Sequence, residues 1–149
     1  MSRGKKAYLQ HESQLSSAIA RLGTLREELK AAIDADAAAF TSVMNAYKQA
    51  KSADGNAAAA TIDAALQQAT SVPLGVAEGG DEIARIAQSL EPITNPNMKS
   101  DLVAAIALAR AAVTGALANV EINLESMKDE EFAQQVRKRT AMLAKDASQ

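Results

Sequence analysis

A chain of 149 residues has room for one core and not for a second, and its 48% hydrophobic content is largely alanine, with 3% aromatic residues. Sixteen basic and eighteen acidic residues give a net charge of -2, which argues against a basic face for nucleic acid. The lack of cysteine excludes a disulfide framework and a thiolate metal site, and the lone His11 argues against a histidine-rich metal centre or a Ser-His-Asp triad.

Alanine favours helix and adds little bulk outside the backbone, so helices can approach closely. The composition therefore points to an all-α bundle of long antiparallel helices in one domain, 1–149, leaning on a second copy for buried area. The opening "MSRGKKAYLQ" is basic but lacks the apolar run of a signal peptide. A cytoplasmic, membrane-free chain is expected.

About five helical segments follow along the chain. From Leu15 to Tyr47, apolar residues form two adjacent heptad rows, Leu15-Leu22-Leu29-Val43 and Ile19-Ile33-Phe40-Tyr47. Arg26 and Asp36 interrupt this stripe, whereas Asp34 falls on a solvated side. "SADGN" at Ser52–Asn56 reads as a turn, and a second helix is expected over Ala57–Ser71. Pro73 disfavours a helical conformation at Val72 and predicts a break or kink before a third helix. That helix carries Gly79-Gly80, a place for a bend or a close helix contact. "EPITNPNMKSD" is the least helical stretch, with two helix-start signals, Asn95 before Pro96 or Ser100 with Asp101.

From Asp101 an apolar pattern runs to about Met127. Leu102–Val120 is apolar enough to suggest a membrane span, but a central Arg110 would cost about 2.5–3.5 kcal/mol there, favouring a buried helix. A last amphipathic segment follows "KDEEF", and the residues from Lys145 onward are expected to fray.

Three places put polar groups where the pattern asks for apolar ones. A carboxylate buried at Asp36 is costly unless paired, and burial favours its protonated form, as general acid-base chemistry requires. A structural ion pair, or a seam edge facing water, is the commoner explanation of such a residue. Asn119 and Asn123 are one helical turn apart, beside small residues. They suit either a heterocycle's donors and acceptors or interhelical hydrogen bonds. "NPNMKSD" opens onto a helix N-terminus, where Ser100 is either a cap or part of an anion site. Lys5, Lys6 and Tyr8 form a basic-aromatic cluster that a carboxylate ligand or plain solvent would satisfy.

The blocks "GKKAY", "DADAAAFTSVMNAYK", "ATSVPLGVAE", "NPNMKSDLVAA" and "GALANVEINLESMKDEEF" resemble, in this order, the formiminotetrahydrofolate cyclodeaminase family. That family includes the C-terminal domain of formiminotransferase-cyclodeaminase and related methenyltetrahydrofolate cyclohydrolases. The resemblance implies an all-helical homodimer with a tetrahydrofolate derivative as substrate and no metal or redox cofactor. It also implies one of two reactions: cyclodeamination of 5-formiminotetrahydrofolate to 5,10-methenyltetrahydrofolate with loss of ammonia, or hydrolysis of the methenyl bridge. The family's recurrent positions fall on Asp36 and Phe40, Pro73, Ser100 and Asp101, and Asn119 with Asn123. On this basis Asp36 is expected to move the proton, Asn119 and Asn123 to orient the folate, and Ser100 and Asp101 to shape the pocket. Lys5 and Lys6 are further candidates for substrate binding. Family members carry a Pro-Gly-Gly-Gly-Ser-like segment before the "GKK-Y" block, and here Met1 lies just ahead of Gly4. A non-catalytic helical dimer lacking that segment is therefore the second expectation.

Overall fold

The computed structural model describes residues 2–52 and 55–147. Four α-helices follow a 3-10 segment at Lys6–His11: α1, Glu12–Ala50; α2, Gly55–Leu90; α3, Lys99–Glu125; and α4, Glu130–Ala147. Among the described residues there are no strands, as the composition predicts. At 1.5 Å per residue, the 39 residues of α1 extend about 58 Å.

Of the break or kink expected at Pro73, the break does not occur. Helix α2 continues through it as one element, so four long helices replace the five expected segments. The expected turn falls partly on residues 53 and 54, outside the described residues, and Gly55 is already helical. Between α2 and α3, short 3-10 turns occupy Glu91–Ile93 and Pro96–Met98, with Asn95 Oδ1 accepting from the Asn97 N–H at 3.0 Å. Of the two start signals, the Asn95-Pro96 pair therefore governs the entry, and Ser100 and Asp101 lie inside the first turn of α3. At the far end α4 remains helical through Ala147 rather than fraying from Lys145.

The main core joins α2, α3 and α4 through Leu66, Leu74, Val120, Leu124, Ala133 and Val136. A smaller cluster of Ala77, Val113 and Ala116 continues the α2–α3 seam. There Gly80 permits the closest approach: a Cβ would lie 2.9 Å from Val113 Cγ2 and 3.2 Å from the Ala109 carbonyl oxygen. The glycine pair thus marks a helix contact, the second of its two sequence readings. Asp129 starts α4 by accepting the Phe132 N–H at 3.1 Å and ties it to α2 through Gln67 at 2.9 Å.

Helix α1 packs on α2 only partly as expected. Its buried residues are Leu15, Leu25, Ala39 and Ala46, whereas Ile33 and Phe40 stand 71% and 65% exposed. The face toward α2 combines leucine in the first half of the helix with alanine in the second, where small side chains allow close approach. Of the two expected rows, the first meets α2, with Leu15 buried and Leu22, Leu29 and Val43 half-buried, whereas the second, from Ile19 to Tyr47, faces outward. One bidentate ion pair, Arg21 to Glu82 at 2.7 Å for both bonds, joins α1 to α2.

Candidate active-site groove

Helices α1 and α3 both pack on α2, and between them they leave a groove of about 740 Å³. Its floor is α2, at Val72, Pro73, Val76 and Gly80. One wall is α1, from Leu29 to Asp36, and the other is α3, from Ala105 to Asn119. The lining is mostly Ala, Gly, Val, Leu, Ile and Pro, with the Asp36 carboxylate and the Asn119 amide as its polar groups. An apolar cleft of this size with few convergent polar groups is the usual form of a small-molecule site.

The local reason for each placement is simple. Asp36 continues the heptad row of Leu22 and Leu29, the row at the edge of the α1–α2 seam, so its side chain borders the groove. Asn119 lies one turn beyond Gly115 on α3, where the small residue keeps the wall low. Asp36 is exposed in the single chain, which corrects the expectation of burial, and no ion pair explains it: among the described residues no donor engages its carboxylate. Asp34 is exposed, as expected.

The remaining candidates are not brought into the groove of one chain. Asn123 is committed elsewhere, its Nδ2 donating to the Ala69 carbonyl at 3.2 Å. Ser100 and Asp101 are exposed at the start of α3, about 27 Å along the helix from Asn119. Lys5 and Lys6 are exposed at the head of the 3-10 segment, which the Arg3–Glu12 ion pair at 3.0 Å ties to α1. Ser2 Oγ accepts the Asn95 N–H at 2.8 Å, so the N-terminal residues and the α3 entry share one end of the bundle.

The buried carboxylate belongs to a different residue. Asp81 is 6% exposed and holds Arg85 at 2.7 Å, across the α2–α3 seam from the groove. Arg110 and Asp146 line the same small polar cavity. Gly79-Gly80 was the available signal, since the residue after a close helix contact is drawn inward with it.

A helical bundle with an apolar groove bordered by a carboxylate and an amide has the form of a small-molecule site. The chain belongs to the formiminotransferase-cyclodeaminase family, which matches residues 1–142. It is 34% identical over 134 residues to a methenyltetrahydrofolate cyclohydrolase of Methylorubrum extorquens, covering 89% of this chain and 64% of that one. It is 32% identical over 149 residues to the formimidoyltransferase-cyclodeaminase of Sus scrofa, covering 99% of this chain and 28% of that protein. The chain thus spans less than two thirds of either relative. Among solved structures it resembles formiminotetrahydrofolate cyclodeaminase from Thermotoga maritima, with a TM-score of 0.82 and 29% identity over 99% of this chain and 68% of that one.

Proposed function

We propose that the chain acts in folate one-carbon metabolism as a cytoplasmic enzyme, with the groove holding a tetrahydrofolate derivative. The observation that carries this reading is the joining of Asp36 and Asn119 at one apolar groove of about 740 Å³. Its low walls of alanine and glycine suit a flat heterocycle.

Two reactions use the same arrangement. In cyclodeamination a folate nitrogen attacks the formimino carbon, the new C–N bond forms, and ammonia leaves with a proton. In methenyl hydrolysis water adds to the bridge carbon and one C–N bond breaks. Each passes through a tetrahedral carbon and needs a proton moved at nitrogen. In this reading Asp36 moves it and Asn119 orients the amidine, which their shared position on the groove lining supports.

The apolar surface beside the groove supports a homodimer, with Ile33, Phe40 and Leu108 each more than 60% exposed. A two-fold partner laid antiparallel would close the groove and remove Asp36 from water. It would also bring the distant Ser100–Asp101 end of one copy toward the Asn119 region of the other.

The test is absorbance of the methenyl compound, followed with 5-formiminotetrahydrofolate and with 5,10-methenyltetrahydrofolate. Turnover of either is expected, and Asp36→Asn should lower kcat about 10²–10⁴-fold with Tm within a few degrees. No turnover of either compound, with no folate-dependent rise in Tm, would refute the enzyme reading and leave the non-catalytic dimer.

A further inference from the structure

In an α-helix each carbonyl accepts the N–H four residues ahead, so the carbonyl of Ala69 looks to residue 73. Residue 73 is proline, which has no N–H and whose ring crowds that carbonyl. Ala69 is 7% exposed and Pro73 is buried as well, so water is a poor substitute donor there. A carbonyl left unsatisfied in such a place is costly. The group that reaches it is Asn123 Nδ2, from α3, at 3.2 Å.

We propose that Asn123 is a positioning residue: its amide replaces the backbone hydrogen bond that Pro73 deletes and fixes the α2–α3 register that presents Asn119 to the groove. The bond crosses between helices, unlike the one it replaces, so the proline converts an intrahelical tie into a tie between α2 and α3. Pro73 itself lines the groove and Asn119 stands one turn from Asn123, so the exchange sits directly under the polar end of the site. Asn123 then acts on the reaction through Asn119 and does not touch substrate. The catalytic part of this inference rests on the folate reading above; the hydrogen-bond exchange does not.

A double-mutant cycle tests it on the full chain. Asn123→Ala is expected to lower Tm by about 3–8 °C in the Pro73 background. In the Pro73→Ala background residue 73 regains its N–H, and the same substitution should cost less than half as much. Equal losses in both backgrounds would overturn the exchange. If Asn123→Ala alone does not fold, the double variant should, and its failure to fold would also count against the proposal. In turnover, Asn123→Ala should lower kcat about tenfold with KM for the folate changed less than twofold. A raised KM with kcat retained would make Asn123 a ligand group instead. A wild-type chain without folate turnover would defeat the functional reading alone, since the thermal cycle still decides the exchange.

Discussion

Gly80 and Gly23 are both helical glycines, yet the structure gives them opposite roles. A methyl group at Gly80 meets Val113 and the Ala109 backbone, whereas one at Gly23 meets nothing within 4 Å. Gly80→Ala should therefore destabilise the fold by about 1–3 kcal/mol despite its better helix propensity. Gly23→Ala should stabilise it by about 0.5–1 kcal/mol, and denaturant midpoints will separate the two. At this scale the sequence is a partial guide. It marked Asp36, Asn119 and Asn123 as out of pattern, and the structure gives each a different setting. Asp36 borders a groove instead of a core, Asn119 faces that groove, and Asn123 is spoken for by a backbone carbonyl. Spacing along one helix places both amides on a face; only the neighbouring helix decides what each amide meets.

Elements were legible where their signals are local. The acids of "KDEEF" start α4, Asn95-Pro96 governs the entry to α3, and the alanine-rich runs are helical throughout. Pro73 misled because a local rule was met by a distant residue: the Asn123 amide that serves the Ala69 carbonyl lies 54 positions along the chain from it. Contact between elements also has a pH signature. Hydrogen bonds from Arg21 hold the Glu82 carboxyl below its ordinary range, and burial opposes them only in part. Around pH 4 the folded chain thus binds fewer protons at this site than the unfolded chain does. The stabilisation is complete above the ordinary value of 4.5 and fades as pH falls through the lower folded one. Thermal melts should show the gap between the wild type and Glu82→Gln widest near neutral pH and narrowing as pH falls below 4.5. A gap independent of pH would mean that the clamp between α1 and α2 contributes through packing alone.

For the whole molecule, the all-α class followed from composition, while the pairing of helices did not. Apolar rows exist on more than one side of α1, and periodicity cannot say which meets α2 and which meets another copy. The outward rows, with Phe40 and Ile33, fit a second chain, and light scattering is expected to give twice the 15.6 kDa chain mass. Mixed-charge patches elsewhere on the bundle are self-satisfied, as with Arg137 and Glu121 at 2.8 Å, and do not compete as an interface.

The alanine seam of α1 has a dynamic consequence. A helix held to its neighbour by Ala39, Ala46 and a few leucines forfeits little buried area when it lifts away, whereas α2 and α3 are pinned by Val113, Val120 and Leu124. Amide hydrogen exchange should therefore reveal α1 as a separately opening unit, with its protection well below that of the α2–α3 spine. If the outward face of α1 is covered by a second copy, that protection will rise with protein concentration while the spine's stays constant. The groove wall carrying Asp36 would then be stiffened by assembly, and site rigidity would become a property that two chains confer on each other.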